Sequence, residues 1–278
     1  MVVVSYGGGI NSQALVIEAY RRGLQIDCIL FANTGSEMPW TLRQNEAMNG
    51  WLAAHGMPLI EEVRWVREDG SFTPLHEWCI ANNTLPSKAF GYAGCTSKWK
   101  QLPLDQEVRR RFGTQEILIE RWIGYDADEP RRVQNLAGKD RQPFGPGGPE
   151  FMWRAPLAEW RMDRDACTAL VRSTSLPFPM KSSCFMCPLM KPHEVVLLAD
   201  HHPELLDLAL FLEANATSVT EEKIQKRLLG MNMPRGMSWT RFMHELSVDG
   251  ELRARVQRAL STMQDDEADE DMPCGCHE

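Results

Sequence analysis

The chain has 278 residues, of which 43% are hydrophobic and 24% charged, as in an ordinary soluble globular protein. It holds no apolar run of about 18 residues, which excludes a membrane-spanning helix, and its first residues lack the charged and apolar segments of a secretory leader. The formal net charge is −8, and seven acidic residues between positions 265 and 278 account for most of it. We therefore expect a cytoplasmic protein that does not bind membranes.

Strands and helices alternate along the first two thirds of the chain. Apolar patterning predicts strands at residues 2–6, 27–32, 60–66, 116–123 and 151–157, and helices at residues 12–23, 39–55, 74–81, 97–112 and 163–173. This alternation predicts an α/β fold in which helices cover a parallel five-stranded sheet.

Helical spacing dominates the chain from residue 192 onward. It predicts helices at residues 193–200, 203–214, 220–229 and 251–263. We therefore expect three parts, which are an α/β domain at 1–160, a Cys-x-x-Cys segment with a helical appendage at 161–263, and an acidic disordered tail at 264–278.

Three consecutive glycines separate the first predicted strand from the first predicted helix: Gly7, Gly8 and Gly9. Glycines let the backbone approach an oxyanion closely, and a helix N-terminus directs N–H groups and a positive dipole end at it. Ser5, Asn11 and Ser12 can add hydrogen bonds to phosphate oxygens. No Gly-Lys-Ser/Thr follows, so this is not a Walker P-loop, and the glycine spacing differs from the dinucleotide pattern. A phosphate site and a plain glycine-rich turn both fit this stretch taken alone.

Eight cysteines are many for a protein of this size in a reducing compartment, where they suggest metal ligation or thiol chemistry before disulfides. Cys184 and Cys187 form a Cys-x-x-Cys sequence, which presents two thiolates to one metal or cluster. Cys28 and Cys167 stand in apolar patterns, so we expect them to be core thiols.

Three separated stretches together resemble one superfamily. Residues 5–12 are similar to the PP-loop of the ATP pyrophosphatases, also called adenine nucleotide α-hydrolases. Residues 33–39, Asn-Thr-Gly-Ser-Glu-Met-Pro, resemble the Asp-Thr-Gly loop of phosphoadenosine phosphosulfate (PAPS) reductases, and residues 95–104 resemble their Cys…Lys…Pro-Leu segment. The likeness extends over about residues 1–190 and is greatest to the PAPS reductase-like branch, which includes many phage and DNA-modification proteins.

The resemblance implies a doubly wound α/β fold with a nucleotide at the glycine turn. The turn would hold the phosphates of ATP, or the phosphosulfate group of PAPS or adenylyl sulfate (APS). Asn33, Thr34 and Gly35 would lie beside the adenosine, and Glu37 is a candidate ligand of Mg²⁺ or substrate. Lys98, in the third stretch, is a candidate catalytic residue. Asn33 replaces the family's usual Asp, so a charge-dependent role of that position does not carry over to this chain.

Residues 124–132 resemble the loop of this group whose arginines face the phosphate site. Arg131 and Arg132 suit that role because guanidinium groups form bidentate hydrogen bonds with oxyanions. Either arginine can instead pair with a neighbouring carboxylate of Asp126, Asp128 or Glu129. We expect one of the two arginines to be functional.

Cys95 lies on a stretch that resembles the first cluster-binding segment of adenylyl-sulfate reductases, which have two adjacent cysteines where this chain has only one. With Cys184 and Cys187 it forms a candidate ligand set for an iron–sulfur cluster. Tetrahedral zinc would use the same ligands, and a Cys-x-x-Cys sequence without metal also remains open. The candidates for a fourth ligand are Cys79, Cys274 and Cys276.

The C-terminal sequence Pro-Cys-Gly-Cys-His-Glu faintly resembles the Glu-Cys-Gly-Leu-His segment at the C-terminus of PAPS reductases. The cysteine of that segment attacks the sulfur of the sulfonucleotide, which makes Cys274 a candidate nucleophile. A disordered tail with incidental cysteines fits the same residues.

Three functions are therefore expected as alternatives. The first is an ATP-using enzyme that adenylates a nucleic acid or a small molecule for sulfur transfer or modification, with a cysteine desulfurase as a partner. The second is sulfonucleotide reduction by Cys274 with a thioredoxin-like reductant. The third is a non-catalytic nucleotide-binding scaffold in a nucleic-acid complex.

Overall fold

The computed structural model describes residues 1–113, 117–137, 149–219 and 237–265. The chain divides into two compact units. The sheet unit comprises Met1–Asn33, Met38–Trp65 and Lys100–Ser182, and the helical unit comprises Thr34–Glu37, Val66–Trp99 and Ser183–Glu278. Within the described residues, no helix combines the length and the apolar character needed to cross a bilayer.

The sheet has five parallel strands, as the alternation of elements predicts. The strands are β1 (Val2–Tyr6), β2 (Cys28–Ala32), β3 (Ile60–Val63), β4 (Leu118–Ile123) and β5 (Glu150–Arg154). Their spatial order is β3-β2-β1-β4-β5, and each neighbouring pair is parallel. The chain therefore moves outward from β1 to one side of the sheet and later from β4 to the other. This order makes the gap between the carboxyl ends of β1 and β4 the switch point, where ligands gather in such sheets.

The described helices vary from three to seventeen residues in length. They are α1 (Ile10–Arg21), α2 (Pro39–Ala54), α3 (Leu75–Ala81), α4 (Gly94–Thr96), α5 (Leu102–Phe112), α6 (Pro130–Ala137), α7 (Pro156–Glu159), α8 (Arg164–Arg172), α9 (Pro192–His201), α10 (Pro203–Val219), α11 (Trp239–Val248) and α12 (Gly250–Asp265). A 3₁₀ turn at Ser87–Phe90 and a π-helical turn at Ser97–Gln101 complete the regular structure.

Helices cover both faces of the sheet, which confirms the doubly wound α/β fold. Side chains that alternate along the strands pack on one face against α1, α2 and α8, with Leu15, Met48 and Leu170 in that core. The opposite face packs against α5 through Leu104 and Val108. Full burial of each aliphatic side chain of this size contributes about 1.5–3 kcal/mol.

The helical unit is built around α10. This helix contacts α3, α9 and α11, and α12 packs against α9 and α11. The predicted helical region after residue 192 is thus present as α9 to α12. The predicted helix at 220–229, most of the predicted tail and most of the glycine-rich stretch at 138–150 lie outside the described residues.

Several local predictions differ from the structure, among them the predicted third strand, which ends at Val63 instead of residue 66. The fifth strand ends at Arg154 instead of residue 157, because Pro156 cannot donate a strand hydrogen bond and instead begins α7. Residues 130–132, predicted as the end of a loop, form the start of α6, again with a proline at the first position. The helix α11 was not predicted, and Ser238 caps it by accepting a hydrogen bond from the Arg241 N–H at 3.1 Å.

Candidate functional site

The glycine turn lies between β1 and α1, at the switch point of the sheet. Gly8 has a φ of +79°, a conformation that L side chains rarely adopt. Gly9 is extended and precedes α1 without a side-chain cap, and the first helical hydrogen bond joins the Gln13 N–H to the Gly9 carbonyl at 3.1 Å. The N–H groups of residues 10–12 therefore have no acceptor within their own helix. The turn thus has the backbone donors that an oxyanion site requires.

The glycine turn is enclosed by α2 and by residue 182. A Cβ atom at Gly8 would stand 2.9 Å from Thr41 Cγ2 and 3.2 Å from Asn45 Oδ1. The Ser182 hydroxyl donates a hydrogen bond to the Gly7 carbonyl, and Ser182 Cβ lies 3.7 Å from the same hypothetical Cβ. No side chain fits at position 8 without moving its neighbours.

The backbone after β4 passes directly against the first turn of α1. A Cβ atom at Gly124 would meet the Asn11 carbonyl carbon and the Ser12 nitrogen at 3.0 Å each. The Ser12 hydroxyl donates to the Gly9 carbonyl at 2.9 Å, so it stabilises the turn itself. The segment after β4 therefore lies tightly against the first turn of α1, and a larger residue at position 124 would have to displace that backbone slightly.

Asn11 is held by a polar cluster that follows β4. Its Nδ2 donates to Asp126 Oδ2 at 2.7 Å and to Glu129 Oε2 at 3.3 Å, while its Oδ1 accepts from Arg164 Nη1 at 2.8 Å. Burial and the neighbouring Glu129 charge raise the pKa of Asp126 above its ordinary value. The Asn11 side chain is thus fixed in orientation at the head of α1.

The two predicted arginines lie on α6 and differ in environment. Arg132 is buried, pairs with Glu129, and places its guanidinium 4.1 Å from the centre of the Tyr125 ring. For this residue the carboxylate pairing alternative is the one observed. Arg131 is exposed and makes no hydrogen bond or ion pair with the residues that the structure describes. It remains a candidate phosphate contact.

Arg121 is a buried charged residue that sequence reasoning missed. It lies in the middle of β4 with 1% of its surface exposed. Its Nη1 donates to Asp105 Oδ1 at 2.8 Å and its Nη2 to Ser5 Oγ at 3.4 Å, and the guanidinium lies 4.8 Å from the Trp153 ring centre. Burial lowers its pKa. Arg121 lies on the same face of β4 as Ile119 and Ile123. This position between two apolar residues is the only sign of its burial that the sequence offers.

The loop after β2 is divided between the two units. In the sheet unit, Asn33 donates through Nδ2 to Glu62 Oε2 at 2.9 Å, and its N–H donates to the Val63 carbonyl at 2.9 Å. In the helical unit, Gly35 has a φ of +72°, and a Cβ atom there would lie 2.6 Å from Phe72 Cζ. Asn33 and Gly35 are therefore fixed by local packing.

The helical unit brings Thr34, Glu37 and Cys184 together. The Thr34 hydroxyl donates to Glu37 Oε1 at 3.0 Å and lies 3.2 Å from Cys184 Sγ, which is 3.7 Å from the same Glu37 oxygen. Glu37 and Cys184 also form an antiparallel backbone bridge. This links the predicted Mg²⁺ or substrate residue directly to a predicted metal ligand.

Ser36 and His76 hold the same loop against α3. Ser36 Oγ lies 2.9 Å from His76 Nδ1 and accepts from the His76 N–H at 3.0 Å, and the Ser36 carbonyl accepts from the Phe185 N–H at 2.9 Å. Burial lowers the pKa of His76, which favours the neutral imidazole at neutral pH.

The Cys-x-x-Cys sequence forms a tight turn. The Cys187 N–H donates to the Cys184 carbonyl at 3.0 Å, and both residues are buried. Cys95 is half-buried, and its N–H donates a hydrogen bond to Ser87 Oγ at 2.6 Å. Burial, together with the nearby thiol of Cys95, raises the pKa of Cys79 to about 12. Within the described residues no three His, Cys, Asp or Glu side chains form a metal-binding group. The described geometry thus fits two ligands in one turn but not a complete cluster site, and the three-cysteine set stays a prediction.

Lys98 lies between two tryptophans in the helical unit. Its Nζ is 4.9 Å from the Trp78 ring centre and 4.6 Å from the Trp99 ring centre. Burial and, to a smaller extent, the positive charge of Arg67 lower the pKa of Lys98. A cation–π arrangement accounts for its position, and a catalytic role stays a prediction. Cys274 and Cys276 lie outside the described residues, so the predicted nucleophile is not tested.

Similarity to known proteins is found among solved structures. No protein-family model matches the chain, and no curated protein sequence matches it. Among solved structures, the chain is similar to the U34-tRNA thiolase NcsA from Methanococcus maripaludis with its 4Fe-4S cluster, at 14% identity and a TM-score of 0.43. The likeness covers 80% of this chain and 74% of the thiolase chain.

Proposed function

We propose that this protein binds an adenine nucleotide with its phosphates on the glycine turn and uses ATP to adenylate an acceptor. The observation that carries the proposal is the turn itself. It combines a positive φ at Gly8, an α1 N-terminus without a side-chain cap, and a position at the switch point between β1 and β4. Each of these features favours an anion.

The turn offers backbone donors in place of a lysine. A triphosphate carries most of its charge on the β and γ groups, which are also the groups that leave as pyrophosphate when the α-phosphorus is attacked. N–H groups fixed before the reaction stabilise a leaving anion without reorganising. The proposed role of residues 9–12 is therefore to bind the pyrophosphate moiety, as the Ser5–Ser12 resemblance also implies.

The proposed reaction is nucleotidyl transfer. An acceptor oxygen attacks the α-phosphorus of ATP, the bond from that phosphorus to the bridging oxygen breaks, and pyrophosphate leaves while the proton of the acceptor passes to solvent. The acceptor's oxygen then carries AMP, which a sulfur nucleophile can displace to form a carbon–sulfur bond. The acceptor is a nucleic acid or a small molecule, and a cysteine desulfurase partner with a thiol reductant supplies the sulfur as hydrosulfide.

Metal chemistry supplies no step of this proposal. A cluster held by Cys95, Cys184 and Cys187 would bind sulfide or fix the Cys184–Cys187 turn. The described residues contribute Thr34 and Glu37 beside Cys184, which would orient its thiol. Adenylation requires none of these groups, so the two parts of the proposal can be tested separately.

Titration and product analysis test the adenylation proposal. We expect the purified chain to bind ATP more tightly than AMP, and AMP about as tightly as adenosine, because the turn contacts the β and γ groups. With an RNA, DNA or small-molecule acceptor and sulfide both present, ATP should be converted to AMP and pyrophosphate in equal amounts. Equal affinity for ATP and AMP, or release of ADP, would contradict the proposal.

A further inference from the structure

Two side chains of α2 lie against the glycine turn with buried polar atoms that have no partner in the described part of the chain. Thr41 is 1% exposed and Asn45 is 8% exposed. Thr41 Oγ1 and Asn45 Oδ1 make no hydrogen bond with any described residue. Buried polar atoms are almost always hydrogen-bonded, so two such atoms on one side of a turn require an explanation.

Both side chains form a wall against the Gly8 position, which Thr41 contacts through its methyl group and Asn45 through Oδ1. The position of a Gly8 Cβ atom is 2.9 Å from Thr41 Cγ2 and 3.2 Å from Asn45 Oδ1. Thr41 occupies the third position of α2, a sixteen-residue helix whose preceding residue, Met38, provides no side-chain cap. Thr41 and Asn45 are four residues apart on one side of α2, so the first two turns of this helix flank the glycine turn.

The chemistry of the wall favours an anion. A hydroxyl and an amide can both donate hydrogen bonds, since the amide of Asn45 can be rotated to direct its NH₂ group into the site. The N-terminus of α1 at the turn disfavours a cation. The wall carries no carboxylate of its own, so a phosphate oxygen is a suitable partner for both groups.

We propose that Thr41 and Asn45 are binding residues for the phosphate held at the glycine turn, so that the anion lies between the N-terminus of α1 and the first two turns of α2. This assignment rests on the proposed function where it takes the phosphate to be part of a nucleotide. It adds a second helix to the site of the pyrophosphate moiety. The Thr41 hydroxyl donates to a phosphoryl oxygen, and the Asn45 amide donates beside it.

Inorganic pyrophosphate is the probe that tests this assignment, measured by calorimetric titration and by the shift in melting temperature. Thr41→Val keeps the shape of the side chain and removes the hydroxyl. We expect it to weaken pyrophosphate binding by about tenfold or more, the effect of losing one hydrogen bond to a charged group. Thr41→Ser, which keeps the hydroxyl, should stay within about threefold of the wild type.

The stability of the ligand-free protein separates binding from structure. Because the Thr41 hydroxyl has no partner in the described residues, Thr41→Val should leave the melting temperature unchanged or raise it. Thr168, buried on α8 with a hydroxyl that likewise has no described partner, gives the matched control. Thr168→Val should leave pyrophosphate affinity unchanged, and Asn45→Ala supplies a second test if Thr41→Val does not fold.

The possible outcomes distinguish the assignment of Thr41 and Asn45 from the proposed adenylation. Unchanged pyrophosphate affinity in both Thr41→Val and Asn45→Ala would overturn the assignment of α2, while ATP conversion by the wild type would still support adenylation. Thr41-dependent pyrophosphate binding without AMP formation would support the assignment and contradict adenylation. Absence of pyrophosphate binding by the wild type would overturn both.

Discussion

Gly8 is the residue on which the shape of the turn depends. Its φ of +79° costs a non-glycine residue about 1–2 kcal/mol, and the space where a side chain would stand is filled by Thr41 and Asn45. The sequence predicts this turn because three glycines between a strand and a helix are a local signal. It does not predict Thr41, Asn45 or Ser182 as the surrounding wall, because those contacts arise only when distant segments pack.

Gly8→Ala should therefore both destabilise the protein and reduce nucleotide binding. Gly56 gives a matched control, since its φ is +64° and a Cβ atom there would meet nothing within 4 Å. We expect Gly56→Ala to cost about 1–2 kcal/mol by backbone strain alone, and Gly8→Ala to cost more because Thr41 must move. Denaturant unfolding measures both. Equal costs for the two variants would contradict the crowded geometry of the turn.

The buried Asp126 predicts a pH effect with a definite sign. Burial raises the pKa of Asp126 in the folded state above its ordinary value of 3.8. The folded state therefore favours the protonated carboxyl. The free energy of unfolding accordingly falls as the pH rises from about 3.8 through the folded pKa. Asp126→Asn should therefore gain more stability relative to wild type at pH 7 than at pH 3.5. Urea unfolding at the two pH values measures this difference. Asp128→Asn, at an exposed position, is the control. An equal gain in stability for Asp126→Asn at both pH values would contradict the claim that ionisation of Asp126 destabilises the folded state.

At the scale of elements, the β-strands and α1 were predicted because their apolar periodicity is local. The end of β5 and the helices α6 and α11 were not. Pro130 and Pro156 each begin a helix, and a proline can equally end a strand or occupy a loop, so the sequence alone leaves the choice open. The first turn of α11 depends on a carboxylate from another helix, which no local pattern reveals.

Glu213 of α10 caps α11 from a distance. This buried carboxylate accepts from the Trp239 N–H at 3.0 Å and the Thr240 N–H at 2.9 Å, and also from the Thr240 hydroxyl. Glu213→Ala should destabilise the protein by about 1–3 kcal/mol, since it leaves buried donors unpaired. Glu245→Ala, which breaks an exposed pair with Arg241, should cost less than about 1 kcal/mol. Thermal or urea unfolding measures both losses of stability. Equal losses for Glu213→Ala and Glu245→Ala would contradict the capping role of Glu213.

At the scale of the whole molecule, the fold class follows from the alternation of elements, whereas the metal set does not follow from the cysteine spacing alone. Two cysteines three residues apart form a turn by local geometry, and the structure has that turn at Cys184 and Cys187. Bringing Cys95 to it requires long-range packing, and no group of three such ligands occurs among the described residues.

Metal analysis of anaerobically purified protein tests the three-cysteine prediction. We expect iron with sulfide, or zinc, in the wild type, and loss of that metal in Cys184→Ser, Cys187→Ser and Cys95→Ser. Cys167→Ala is the control, because Cys167 is a buried core thiol of the sheet unit and should not affect metal content. A wild-type protein that contains no metal when purified in this way would contradict the prediction.

The central claim is that the glycine turn between β1 and α1 holds the phosphates of ATP. A crystal structure with α,β-methylene-ATP tests it most directly, because this analogue cannot release pyrophosphate from the α-phosphorus. We predict that oxygens of the β and γ phosphates lie within about 3.2 Å of the backbone nitrogens of residues 9–12. Density for the triphosphate at any other edge of the sheet, with the turn unoccupied, would contradict the account.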